Sequence, residues 1–335
     1  AWMLFTRLIG AWLAAVFLIP KVKDNPVFSK YLTFPEVFGH YYGKWVAILA
    51  GLISALGYAG FTSSQILAGA KLASGTFADL NMNTALWIMG AIAVLYTVMG
   101  GLKAVIYTDT FQWAILMIGL IFIGLPIAYT EVGGWSAIKE TLKPEMLTLT
   151  NLRWQDLINW AVTIIPIWFV GMTLYQRIYA SRNTKTAKKA WYIAGFLEFP
   201  IMAFMGVALG MLARVAADQG MFDYLGPENI SATDPETGLP MLLRTILPAG
   251  LMGLMMSAYF SAILSTADSC LMAASGNLVT DLIKNIVGEI KDKQYLYLSY
   301  AVTFILGLGA LLLASEMTNV LDLMLYSYAF MVSGL

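Results

Sequence analysis

Apolar runs of about 20 residues recur along this chain from end to end, each long enough to cross a bilayer. Lipid offers no partner to a bare peptide group, so runs of this kind must close their hydrogen bonds within helices. Spans are expected at Trp2–Pro20, Trp45–Leu72, Thr84–Gly101, Thr110–Tyr129, Leu157–Tyr179, Ala187–Val215, Met241–Leu282 and Leu296–Ser315, with a further one from Val320 to Leu335. Charged residues make up only 12% of the chain, against about 25% in an ordinary soluble domain. Mean hydropathy is +0.72. The fold class is therefore an all-α polytopic membrane protein, read as one transmembrane domain over residues 1–335. The chain starts at Ala1 inside one apolar run and stops at Leu335 inside another, which reads as a piece of a longer protein. The first run lacks the basic start of a cleavable signal peptide.

Several classes are disfavoured. A net charge of zero argues against nucleic acid. The single Cys270 excludes an internal disulfide and reads as a packing residue, and the single His40 rules out histidine-rich metal sites. No nucleophile–histidine pairing, phosphate-cradling glycine loop or cysteine cluster is present, so an enzyme is not expected.

Lys and Arg concentrate in cytoplasmic loops of membrane proteins. The linkers Lys21–Lys44, Gly101–Asp109, Arg177–Lys189 and Asp281–Lys293 hold 13 basic residues, and the alternate linkers hold 5. The first set is assigned to the cytoplasm. The outer connection between Arg214 and Arg244 is acidic, with Asp218, Asp223, Glu228, Asp234 and Glu236, and reads as a solvated loop. It also carries the sequon Asn229-Ile230-Ser231.

The stretch Ser257–Asp281 (SAYFSAILSTADSCLMAASGNLVTD) lies inside an apolar span yet bears Ser261, Ser265, Thr266, Asp268 and Ser269. Residues three and four apart share a helix face. Ser261, Ser265, Asp268 and Ser269 thus form an oxygen-bearing stripe, flanked by Thr266. Hydroxyls and a carboxylate suit a hard cation; hydroxyls alone also serve helix packing in membranes. Pro248 implies a short helix or bend before this stretch.

Other polar residues in the spans carry two readings each. Asp109, in GGLKAVIYTDTFQ, either caps a helix or shares a cation with Asp268 and Ser269. Glu198, just before Pro200, binds a solute, exchanges protons or forms an internal ion pair. Pro166, beside Ile167 and Trp168, marks a kink that either lines a substrate site, with Trp168 as a lid, or simply packs. Tyr326-Ser327-Tyr328 lines a cavity or bonds between helices. The Gly206/Gly210 spacing reads as close helix packing.

The runs GGLKAVIYTDTFQ, LYQRIYASRNTKTAKKA and SAYFSAILSTADSCLMAASGNLVTDL, in that order, resemble the sodium:solute symporter family, whose members carry sugars, sialic acid, proline and pantothenate. The resemblance implies a leucine-transporter-like fold of two inverted five-helix repeats, here truncated at both ends, with the first core helix lying before Ala1. It implies sodium as coupling ion, no other cofactor, a small organic solute as partner and a multi-pass place in the plasma (cell inner) membrane. The Ala262 carbonyl and the Ser265 and Thr266 hydroxyls would hold sodium; Asp109, Asp268 and Ser269 would form a second sodium site, with Asp268 replacing a frequent serine. Ile167 and Trp168 fall on the substrate and inner-gate helix, and Tyr326 near a substrate contact. Ile167 stands where sugar carriers tend to have a gating tyrosine, and Glu198 where some have a lysine. The expected function is sodium-coupled symport by alternating access. The alternatives are a transporter-like solute sensor and a proton-coupled carrier.

Overall fold

A computed structural model describes residues 1–28, 31, 33–77, 79–99, 102–223, 234–288 and 291–335, with backbone alone for 102–109. The chain runs as α1 (Trp2–Asp24), α2 (Phe34–Tyr42), α3 (Lys44–Thr76), α4 (Met82–Met99), α5 (residues 102–131) and α6 (Gly134–Thr141). It continues as α7 (Trp154–Val170), α8 (Met172–Ala180), α9 (Thr184–Asp218), α10 (Gly238–Ile246), α11 (Ala249–Val287), α12 (Asp292–Glu316) and α13 (Val320–Gly334). Among the described residues there is no β-strand. Seven of these helices are long and apolar enough to cross a membrane, and α7 with α8 makes an eighth, bent by 42°. Large apolar side chains such as Phe17, Leu49 and Phe122 are exposed around the bundle, as lipid-facing positions should be.

Helix α3 is the axis. It packs against α2, α4, α11, α12 and α13, and α11 in turn packs along α5 and α12. Between apolar surfaces in lipid there is little hydrophobic drive, so close packing of small residues has to hold helices together. Helix α3 accordingly buries Ala47, Ala50, Ser54, Ala55, Ser63 and Ser64. Helix α1 lies apart from this axis, against α7 and α9. Gly206 and Gly210 meet nothing: a Cβ on either would enter open space, so they form no packing groove among the described residues.

Linkers assigned to one side by their basic residues meet one another. At the inner end, Lys23 donates to the Tyr179 carbonyl (2.9 Å) and Thr184 to Asp24 (2.5 Å). Thr33 caps α2: its hydroxyl accepts from the Glu36 N–H, Glu36 accepts from the Thr33 N–H, and the same hydroxyl donates to Asp281 at the end of α11 (2.6 Å). At the outer end, the buried Lys71 pairs with Asp234 and Glu236 and donates to the Thr318 carbonyl at 2.5 Å. Glu236 also accepts the Val320 and Leu321 N–H groups that open α13 (2.9 and 3.2 Å). Two of the acids read as solvated thus bind a lysine that lies one turn inside the end of α3. The sequon and Glu228 lie outside the described residues.

Pro166 sits inside α7 without ending it; the helix breaks at Gly171, whose backbone is extended (φ −70°, ψ 112°). The reason is local crowding. A Cβ at Gly171 would lie 2.7 Å from the Ile167 carbonyl oxygen and 3.1 Å from the Tyr58 hydroxyl, so only glycine lets α3 come this close. The groups freed by the break find partners: the Thr173 N–H donates to the Tyr58 hydroxyl (3.1 Å), and Tyr175 donates to the Phe169 carbonyl (2.8 Å).

Two outcomes follow for thermal unfolding in detergent. Tyr58→Phe orphans the Thr173 N–H and should cost about 1–3 kcal/mol; an unchanged Tm would show that water satisfies the break instead. Lys71→Ala should cost on the order of 2 kcal/mol, below the ~3–5 of a fully buried pair, because both its acids are partly exposed.

Candidate ion and solute site

A cavity of about 190 Å³ opens beside the broken helix, walled by α1, α3, α7, α8, α11 and α13. The break places the carboxyl end of α7 and the amino end of α8 against it, and such ends present unpaired backbone dipoles to a ligand. Of the residues singled out in the sequence, Ile167, Trp168, Ser265, Thr266, Ser269, Cys270 and Tyr328 line it.

On α11 the Thr266 hydroxyl donates to the Ala262 carbonyl at 3.0 Å, while Ser265 and Thr266 both reach the cavity. One turn therefore brings two hydroxyls to the cavity, while the Ala262 carbonyl, which is not among its lining residues, accepts from Thr266. These are neutral hard-oxygen donors, the chemistry that suits a singly charged cation better than a divalent one, which would call for carboxylates. Among the described residues no group of three His, Cys, Asp or Glu side chains could hold a metal ion.

The second candidate position is differently built. Asp268 is fully buried and is not among the cavity-lining residues, whereas Ser269 is. Arg177 belongs to α8 and not to a loop: it donates to the Thr173 carbonyl (3.0 Å) and reaches the Ser269 hydroxyl at 3.4 Å. A guanidinium beside Ser269 opposes a cation at that hydroxyl. The Asp109 side chain lies outside the described residues. Its backbone belongs to α5, which begins at Leu102, so Asp109 is two turns inside the helix and cannot be its N-cap.

Glu198 sits at a wide turn in α9, where Phe199 leaves helical geometry (φ −138°, ψ 123°). Of the three roles open to it, the structure shows the ion pair: Glu198 Oε2 meets Arg7 Nε at 2.9 Å. Arg7, on α1, lines the cavity. Trp168 is buried against α1, where Gly10 makes room; a Cβ there would lie 2.3 Å from its Cδ1. Tyr326 is 64% exposed, and Tyr328 lines the cavity in its place, stacked on Phe61 with ring centroids 5.0 Å apart. Two positions on a helix differ by about 200° around its axis, so these tyrosines must face opposite ways.

Arg7, Tyr58 and Arg177 were not singled out by the sequence reading. Arg7 did carry a signal, a lone charge among apolar residues in FTRLIG. Tyr58 carried none, because an aromatic in a span looks like packing until its hydroxyl is placed against Thr173.

Residues 1–334 match the sodium:solute symporter family. Among curated proteins, the chain is similar to the high-affinity proline transporter PutP of Bacillus subtilis (strain 168), 25% identical over 341 residues, covering 98% of this chain and 69% of that protein. It is 29% identical over 312 residues to sodium/glucose cotransporter 1 of Mus musculus, covering 80% of this chain and 46% of that protein. The chain thus spans about two thirds of the one relative and less than half of the other. Among solved structures, a Na+-coupled sialic acid symporter in a substrate-bound outward-open state superposes with a TM-score of 0.75 at 21% identity, covering 94% of this chain and 68% of that one. The fold is the leucine-transporter-like helical fold of such symporters. With its apolar spans, its broken helix and its family match over nearly the whole length, this multi-pass membrane chain belongs to the sodium:solute symporter family.

Proposed function

We propose that this chain is the ion- and solute-binding part of a sodium-coupled symporter, working by alternating access at the plasma membrane, rather than an enzyme. The observation that carries the reading is the meeting of Ser265 and Thr266 with the broken helix α7–α8 in one cavity. Symporters of this family couple sodium to a small organic solute, and PutP and the sodium/glucose cotransporter supply proline and glucose as precedents.

In this reading sodium binds the Ala262 carbonyl and the Ser265 and Thr266 hydroxyls. It favours the state in which α11 and its partners hold the outer path open. Solute then occupies the aromatic half of the cavity, near Trp168, Ile167 and the Arg7–Glu198 pair, while Tyr326 on the far face of α13 stays outside it. Closure of the outer path and opening of the inner one release both. One charge falling through 100 mV is worth about 2.3 kcal/mol, and this sustains roughly fiftyfold accumulation at about 1.4 kcal/mol per tenfold. A second sodium at Asp109, Asp268 and Ser269 would add as much, against the opposing charge of Arg177. No cofactor besides the ion is required.

The test is thermal stability of the full-length protein in detergent with sodium, potassium or choline. Sodium alone should raise the Tm, because a ligand bound only by the folded state stabilises it by about 2.7 kcal/mol at a hundredfold excess over Kd. Thr266→Ala should abolish most of the rise. Asp268→Asn should leave it if one sodium suffices. Identical melting in all three salts would sink the symporter reading and favour a proton-coupled carrier or a solute sensor.

A further inference from the structure

We propose that the inner end of the α2–α3 hairpin holds the headgroup of an anionic phospholipid, with its phosphate between Lys44 and Lys284. A second cavity, of about 400 Å³, opens where this hairpin meets the end of α11. Its lining includes Lys44, Lys284, His40, Tyr31, Asn285 and Glu36, and it shares no residue with the ion and solute cavity. Both linkers that supply it fall on the side assigned to the cytoplasm by their basic residues. Lys23 and Lys71 are held by carbonyls or acids, whereas Lys44 and Lys284 make no ion pair or hydrogen bond to protein among the described residues. Two ammonium groups on different helices facing one cavity repel, and an anion between them turns that repulsion into attraction. Glu36, the acid in the lining, caps α2 by accepting the Thr33 N–H at 3.2 Å. With two lysines against that one acid, the lining keeps a net positive charge.

The backbone adds to the charge. A helix leaves its first N–H groups unpaired unless a side chain caps them. Thr33 does this for α2, but α3 opens at Gly43, whose positive φ (92°) makes the reversal and which has no side chain to cap with. Lys44 therefore stands on the uncapped amino end of a 33-residue helix, where the dipole also favours an anion. His40 shares a hydrogen bond with Tyr31 through Nδ1 (3.1 Å), which leaves Nε2 for a ligand.

The surroundings favour a lipid over a free anion. Tyr41, Tyr42 and Trp45 are exposed beside the cavity, and Ile286 and Val287 are exposed at the end of α11. Exposed tryptophan and tyrosine mark the headgroup level of a bilayer, and Lys44 Nζ lies over the Trp45 ring, 5.7 Å from its centroid. A ligand with acyl chains covers this apolar rim, whereas a small soluble phosphate uses the charge and leaves the rim bare. The cytoplasmic leaflet supplies anionic lipid at this depth, and basic pockets between helices on that side suit its headgroups. Bound there, the lipid ties the start of α3 to the end of α11, next to the Thr33–Asp281 bond.

The test gives the full-length protein in detergent dioleoyl phosphatidylglycerol, dioleoyl phosphatidylcholine or glycerol 3-phosphate, and reads bound lipid by native mass spectrometry and Tm by thermal shift. Sodium is absent throughout, so the outcome is independent of the symporter reading. Phosphatidylglycerol should stay bound and raise the Tm, and the other two should not. Lys44→Gln with Lys284→Gln should weaken phosphatidylglycerol binding on the order of tenfold, since each basic residue near an anionic surface contributes several-fold. Lys44→Arg with Lys284→Arg should keep it. Lys185→Gln with Lys189→Gln removes the same charge from an exposed stretch on the same side but outside the cavity, and should leave binding unchanged. On the wild type, a phosphatidylglycerol with a photoactivatable headgroup should label residues 39–47 and 280–288, a readout that needs no variant to fold. The proposal is overturned if phosphatidylcholine binds as well, or if the label falls elsewhere. It is also overturned if glycerol 3-phosphate gives the same rise in Tm, which makes the site one for a free anion. Equal loss on substituting Lys185 and Lys189 overturns it too, by reducing the effect to general surface charge.

Discussion

Everything in this bundle answers to one constraint: a peptide group inside lipid must find its hydrogen bond within the protein. Twelve residues after the start of a helix that could run straight through lies Pro166, and five residues further on the chain stops being helical at Gly171. Opening a helix at that depth costs several kcal/mol per orphaned group. Here Tyr58 and Tyr175 take up a donor and an acceptor released by the break. Tyr58 and Gly171 both line the cavity, and the missing side chain at Gly171 is what lets Tyr58 reach.

Buried charges follow the same logic. Arg7 pairs with Glu198, Lys71 is held by two acids and a carbonyl, and Arg177 reaches a carbonyl and the Ser269 hydroxyl. Each cation joins segments far apart in sequence, so the ionic contacts set how the helices lie against one another more than they add net stability. The Ser265–Thr266 turn, by contrast, carries no charge of its own. Two arginines, Arg7 and Arg177, line the same cavity, so the charge there comes from the helices opposite and not from this turn.

Much of this was legible in the sequence. Apolar runs located every span, basic residues sorted the linkers onto two sides that the structure then brings together, and the short α10 ahead of Pro248 follows the expected bend. Helical spacing put Ser261, Ser265, Asp268 and Ser269 on one stripe with Thr266 at its flank; Ser265, Thr266 and Ser269 line the cavity, whereas Ser261 and Asp268 do not. What stayed hidden depended on pairing between distant segments. Proline suggested the break, but glycine made it, because the decisive contact is with Tyr58 on another helix. The choice of Tyr328 over Tyr326 turned on the rotation of α13, which no local pattern specifies. The acidic outer loop looked solvated because Lys71, its partner, lies more than 160 residues away.

The clamp around Lys71 gives α13 a fixed end. Glu236 holds the first N–H groups of that helix while tying them to α3. Tyr328 lies about 12 Å farther along, at ~1.5 Å per residue. A rod pinned at one end sweeps an arc that widens with distance, so about 5° of tilt carries Tyr328 through roughly 1 Å and the inner end through nearly twice that. Glu236 thus acts as a fulcrum: a tilt of α13 moves the cavity wall at Tyr328 less than it moves the far end of the helix.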